Sequence, residues 1–241
     1  MKAMIFAAGL GTRLKPLTDT IPKALVEIGG KPLLEHIILK LISSGFDEIM
    51  INVHHFPEQI TAFLKSRENF GIRIEVSDES AELLDTGGGI RKAQWFFDDG
   101  KPFLVHNVDI LSNLDLSALY HKHTENNHLA TLVVSRRTTF RYLLFNRDLL
   151  LEGWINEKTG EKRPPDLLIS SSSEKLAFSG IQILNPQIFK LMEAHPNKFS
   201  VIDFYLQHLG LKSFYGYIPD NYKMIDVGKL NSIEEAGNFI F

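Results

Sequence analysis

Two patterns of hydrophobic and polar positions alternate along the first 130 residues. Short apolar runs at 3–8, 48–53, 72–76, 102–106 and 129–134 have the length and composition of buried strands. Between them apolar residues recur at helical spacing. After Pro32 they fall at 33, 34, 37, 38, 41 and 42, one face of a helix that Pro32 suits as its opening and Gly45 as its C-terminal cap. Pro57 opens another helix, with Ile60, Phe63 and Leu64 turned inward. Strands alternating with helices predict βαβ units, hence an α/β fold with a mostly parallel sheet flanked by helices.

The pattern changes near residue 135. Residues 141–170 carry Tyr142, Gly153 and Trp154, a Pro164-Pro165 break and a closing serine run to Ser173, which predicts a small β insertion at about 140–175 with a polar loop. A strand at 177–184, helices at 186–194 and 201–209, strands near 213–218 and 223–226 and a last helix near 230–240 complete the reading. No internal repeat is visible, and in particular no hexapeptide β-helix repeat. The expectation is one domain over 1–241 with halves at 1–135 and 136–241, and no C-terminal β-helix domain.

Composition narrows the function. The chain has 241 residues, 44% apolar and 23% charged, the balance of an ordered globular protein. Its 26 basic and 29 acidic residues leave a formal net charge of -3, so a broad nucleic-acid surface is not expected. It contains 0 cysteines, which excludes disulfides, thiol catalysis and cysteine metal sites. No apolar run approaches the roughly 18 residues of a membrane span. The apolar start, only about six residues before Gly9, is too short for a signal peptide. The expectation is a cytoplasmic protein with neither nucleic-acid nor membrane partner. Histidines cluster at His54-His55 and at His121 and His123, but without HExxH spacing they read as structural. No GxSxG elbow marks a serine hydrolase.

The chemistry concentrates in the loop after the first strand, Ala7-Ala8-Gly9-Leu10-Gly11-Thr12-Arg13, followed by Pro22-Lys23. Open α/β sheets bind ligands at the carboxyl ends of their strands. Glycines there let backbone N–H groups approach phosphate oxygens, and Arg13 and Lys23 add positive charge. A dinucleotide GxGxxG is excluded because Leu14 stands at the third glycine position. Neither Gly30-Lys31 nor Gly228-Lys229 forms a Walker A loop. By itself, a lone Gly-x-Gly is more often a plain strand-to-helix turn.

Four further landmarks follow. Thr86-Gly87-Gly88-Gly89 opens a helical pattern, where glycines bring backbone close to a ligand or serve as a flexible lead-in. Asp109, just past an apolar strand, and Asp226, in Met-Ile-Asp-Val-Gly, are each a turn residue or an acidic ligand. Phe178-Ser179-Gly180-Ile181 precedes Asn185-Pro186.

The string GLGTRLKPLTDTIPKAL resembles the signature of the sugar-1-phosphate nucleotidyltransferases, or nucleotide-sugar pyrophosphorylases: a GxGTRxxPLT loop followed by Pro-Lys. The other landmarks recur in the family's order, so the resemblance spans essentially the whole chain. It implies a Rossmann-like fold of the nucleotide-diphospho-sugar transferase type. Residues 1–135 would be the nucleotide-binding half and 136–241 the sugar-binding half. The reaction implied is transfer of a nucleoside monophosphate from an NTP to a sugar 1-phosphate, with release of pyrophosphate.

The same resemblance implies site roles. Arg13 and Lys23 would be catalytic. Ala7, Ala8, Gly9, Gly11, Thr12, Thr86, Gly87 and Gly88 would bind nucleotide, and Ser179 and Gly180 the sugar. Asp109 and Asp226 would hold Mg²⁺, which accepts carboxylate, phosphate and water oxygens. Val108 stands where the family usually has glycine, and Ser179 where the thymidylyltransferase branch has an acid. LDTGGG is similar to the compact enzymes for muramic acid and mannose 1-phosphates, so UTP with N-acetylmuramic acid 1-phosphate and GTP with mannose 1-phosphate are the favoured pairs. A non-catalytic nucleotide-sugar-binding regulator of this fold, and a transferase using a non-sugar phosphate such as phosphocholine, are the alternatives. The sequence gives no oligomeric state.

Overall fold

The computed structural model describes residues 1–126 and 128–239. Its spine is four parallel strands, β1 (Lys2–Phe6), β4 (Glu48–Val53), β5 (Arg73–Asp78) and β6 (Phe103–Asn107), in the order β5-β4-β1-β6. Two short strands, β2 (Glu27–Ile28) and β3 (Lys31–Pro32), form a separate antiparallel pair. Helices α1 (Leu33–Ser43), α2 (Pro57–Ser66), α3 (Asp85–Lys92) and α4 (Leu116–Thr124) provide the crossovers, with β7 (Ile110–Ser112) just after β6.

The second half adds antiparallel strands. β8 (Ala130–Ser135) pairs with the long β12 (Glu174–Leu184), which lies against β6 and joins both halves. β9 (Arg141–Phe145), β10 (Leu151–Asn156) and β11 (Glu161–Arg163) continue the sheet outward from β12. Helices α5 (Ile188–Met192) and α6 (Val201–Gln207) follow, then β13 (Phe214–Tyr217) parallel to β8, β14 (Met224–Asp226) paired with β7, and α7 (Asn231–Phe239). The sheet is therefore parallel through its centre and mixed overall, flanked by helices as the alternation predicts. Residue 240, in the predicted last helix, lies outside the described residues.

Period-2 alternation divides the strands between two apolar layers. Ala3 and Ile5 of β1, Ile49 and Ile51 of β4 and Leu104 of β6 face one layer, closed by Leu34, Ile37, Ile38 and Leu41 of α1. Met4, Met50, Phe103 and Val105 face the other, closed by Ile90 of α3, Phe189 of α5 and Phe204 of α6. Gly45 follows α1 with φ at 85°, the left-handed geometry that ends helices. Both layers leave the carboxyl ends of β1, β4 and β6 at one edge, where the loops gather.

Candidate active site

At that edge lies a cleft of about 440 Å³, bounded by the Ala7–Gly9 backbone, Lys23, Thr86 and Asp109. Two devices shape its glycine loop. Gly11 adopts φ of 62°, and a Cβ there would fall 2.8 Å from the Thr18 methyl. The Thr18 hydroxyl donates to the Gly11 carbonyl at 2.8 Å, and Leu14, fully buried, anchors the following turn through its N–H to the same carbonyl. Gly11 is thus required by the fold of the loop. Gly9 differs: a Cβ there would meet no protein atom within 4 Å, so its bare backbone faces the cleft without any packing demand.

Lys23 reaches the cleft from a short turn pinned by the buried Ala24, and its ammonium meets the Asp109 carboxylate directly. Asp226 arrives from the far end of the chain. The β14–β7 pairing sets Asp226 opposite Ile110, and Val227 N–H donates to the Asp109 carbonyl at 2.8 Å. The two aspartates, separated by most of the second half in sequence, are thereby neighbours. Asp226 keeps contact with solvent, yet the partial desolvation imposed by the neighbouring loops raises its pKa above the ordinary aspartate value, and the Asp109 charge adds to the rise, against the opposing pull of Lys23, Arg13 and Arg137. Arg13 stands beside Asp226: a Cβ on Gly228 would lie 2.7 Å from Asp226 Oδ1 and 2.8 Å from an Arg13 terminal nitrogen. Thr12 begins the turn that carries Arg13. Val108 is buried in the core without left-handed backbone, and its N–H donates to the Phe6 carbonyl at 3.1 Å.

The aspartate pair suits a hard cation. The Asp109 charge adds to the proton affinity of Asp226, and two neighbouring carboxylates gain from a shared positive charge. Among the described residues no group of three or more His, Cys, Asp or Glu side chains is placed to hold a metal. The protein would contribute two carboxylates to a bound cation, with phosphate and water oxygens left to complete its coordination.

The glycine triplet takes a different place from the expected ligand cradle. Helix α3 begins at Asp85, so the glycines are inside it. Gly87 and Gly88 donate their N–H groups to the Phe199 carbonyl, at 2.8 and 3.2 Å. A Cβ on Gly87 would strike the Phe199 ring at 2.3 Å, and one on Gly88 the Asn197 carbonyl oxygen at 2.2 Å. Their smallness seats the 197–201 segment against α3, and Thr86, whose hydroxyl accepts from Val201 N–H at 2.9 Å, is left lining the cleft. Ser179 likewise departs from the expected sugar contact. It is 1% exposed, and its hydroxyl turns inward toward Tyr222. Gly180 has φ of 73°, and a Cβ there would fall 2.6 Å from the Asn107 amide nitrogen, so it forms the bulge that lets Asn107 into the cleft wall.

Several cleft residues escaped the sequence reading, among them Asn52, Glu79 and Lys198. Asn52 accepts from Ala7 N–H at 2.9 Å and donates to Glu79 at 2.9 Å, while Glu79, 1% exposed, also accepts from Leu84 N–H at 3.1 Å. This relay ties the glycine-loop backbone to the lead-in of α3. Asn52 had a signal, a lone polar residue near the carboxyl end of an apolar strand. Lys198 had none, since only the α3 packing brings it to the cleft.

The family described as Nucleotidyl transferase matches residues 2–241. An N-acetylmuramate alpha-1-phosphate uridylyltransferase of Neisseria meningitidis is 34% identical over 194 residues, 80% of this chain and 79% of that protein. One from Caulobacter vibrioides is 45% identical over 109 residues, 44% of this chain and 45% of its own length. A mannose-1-phosphate guanyltransferase of Yarrowia lipolytica is 32% identical over 235 residues, covering 95% of this chain but 61% of that one. Among solved structures, HddC from Yersinia pseudotuberculosis superimposes with a TM-score of 0.76 at 22% identity, over 99% of this chain and 98% of that one. A UDP-glucose pyrophosphorylase bound to UDP-glucose gives 0.75 at 20%, over 99% and 97%. These two likenesses establish the fold.

Proposed function

The chain belongs to the nucleotidyl transferase family, and on that premise we propose that it transfers the nucleoside monophosphate of UTP or GTP to a sugar 1-phosphate, releasing pyrophosphate. The observation that carries this reading is the meeting of Asp109, Asp226, Lys23 and Arg13 at one sheet edge, beside a glycine backbone that faces a nucleotide-sized cleft. A sugar phosphate oxygen attacks the α-phosphorus, the bond to the bridging oxygen breaks, and pyrophosphate leaves with the electron pair. The nucleophile is already ionised near neutral pH, so the protein's work is positioning and charge neutralisation.

In this reading Ala7, Ala8, Gly9 and Thr12 place backbone against the nucleotide phosphates, and Thr86 and the Asn52–Glu79 relay fix the walls beside them. Lys23 neutralises charge near the α-phosphate, and Arg13 holds the departing pyrophosphate. Asp109 and Asp226 would hold Mg²⁺, which supplies charge neutralisation to the phosphate oxygens when bound.

The test is pyrophosphate release from UTP and from GTP. Each is offered glucose, mannose, N-acetylglucosamine and N-acetylmuramic acid 1-phosphates, with phosphocholine as a non-sugar acceptor. Mg²⁺-dependent turnover with a sugar 1-phosphate is expected. Turnover with phosphocholine alone moves the acceptor outside the sugars, and nucleotide binding without release from any pair makes the protein a binding module.

A further inference from the structure

A second cleft, of about 500 Å³, lies between the outer face of β9–β11 and helix α6. A sheet face turned toward a helix is ordinarily apolar. Here the alternation sets Arg141 of β9 opposite Asn156 of β10, and Arg163 of β11 opposite Trp154, all on the cleft side. The charges are unevenly matched. Arg163 is held by Glu161 at 2.8 Å and Asp203 at 2.6 Å, with its guanidinium 4.9 Å from the Trp154 ring centre. Both cleft carboxylates are therefore engaged by one arginine. Among the described residues Arg141 and Arg137 form no ion pair, and Arg137 donates to the Phe178 carbonyl at 3.1 Å.

This cleft adjoins the first. Arg137 acts electrostatically on Asp226. Lys198 bounds one cleft and Ser200, two residues on, the other. A molecule with its phosphate at Lys23 and Asp109 and its body turned toward the second cleft would pass Arg137. Guanidinium groups with no ion pair among the described residues, beside an aromatic face and several neutral polar groups, suit a sugar ring bearing a negative charge of its own.

We infer that the second cleft reads an anionic substituent on the sugar, a carboxylate in addition to the 1-phosphate, through Arg141 and Arg137. The inference rests on the proposed reaction for its orientation, with the sugar on this side of the metal-binding aspartates. A pair of charge-assisted hydrogen bonds to one carboxylate corresponds to a preference of about tenfold to a hundredfold.

Calorimetric binding to the whole protein tests it without turnover, using two matched pairs of sugar phosphates. N-acetylmuramic acid 1-phosphate is compared with N-acetylglucosamine 1-phosphate, and glucuronic acid 1-phosphate with glucose 1-phosphate. The wild type is expected to favour the acid of at least one pair by about tenfold or more. Arg141→Gln should collapse that ratio toward one, and Arg141→Lys should restore part of it. Equal affinity for acid and neutral sugar in both pairs overturns the inference. So does a preference that Arg141→Gln and Arg137→Gln both leave intact, or an equal loss for acid and neutral partners. Pyrophosphate release is scored separately: its failure with every pair counts against the proposed reaction, whereas the affinity ratio judges the arginine cleft.

Discussion

Lys23 is almost wholly enclosed and paired with Asp109, so solvent screens its charge little where phosphate would sit. Lys23→Ala is expected to lower turnover by about 10²–10³, the range for one preorganised charge, with circular dichroism unchanged. Near-normal pyrophosphate release in the folded variant would remove Lys23 from the mechanism. Asp226 carries the opposite lesson about stability. Its pKa is raised in the fold, so above that value the native state bears an ionised carboxylate at a cost the unfolded chain does not have. The cost fades as pH falls and is gone below the unfolded value. Asp226→Asn should therefore raise the melting temperature of the metal-free protein at neutral pH, raise it less in acid, and abolish Mg²⁺-dependent turnover. A variant less stable than wild type at neutral pH would show that the carboxylate's contacts outweigh its desolvation.

At the scale of elements, α3 and the 197–201 segment act as one unit through two glycines, Gly87 and Gly88. Gly88→Ala sets a methyl against a backbone oxygen that no rotamer change relieves. A cost of about 1–3 kcal/mol is expected in urea unfolding, with KM for the nucleotide raised because Lys198 and Thr86 shift together. A Gly88→Ala protein with unchanged KM would separate the segment from nucleotide binding. The triplet was visible in sequence, but its partner was not. Glycine signals close approach without saying what approaches, and residues 87–89 meet Phe199, Asn197 and Glu79. Ser179 shows the same limit: the strand reading placed it correctly on β12, yet which face a hydroxyl takes beside a bulge depends on Gly180 and the neighbouring strands. The parallel strands, by contrast, were legible almost to the residue, because their apolar runs are bounded by turns.

For the whole molecule, two buried histidines link the fold to pH. His106 and His123 are fully enclosed, and burial lowers each pKa from 6.5 to about 4. The unfolded chain thus takes up protons before the native state does. The contribution of these groups is complete above the unfolded value and is lost as pH falls from there toward the folded one, up to about 3 kcal/mol each. The urea midpoint should drop between about pH 7 and about pH 5, and His123→Gln should flatten the slope. An equal slope in the variant would assign the acid sensitivity elsewhere.

The sequence by itself determined the α/β alternation, the glycine loop and the two aspartates as separate acidic landmarks, because periodicity and short-range spacing are local properties of the chain. The tertiary structure alone decided that Asp109 and Asp226 are neighbours, that Lys198 reaches the first cleft and that, among the described residues, Arg141 lacks a carboxylate while Arg163 has two. Each of these depends on strand register or helix packing between residues remote in sequence. Electrostatic energy depends on distance in space, which a linear pattern does not contain.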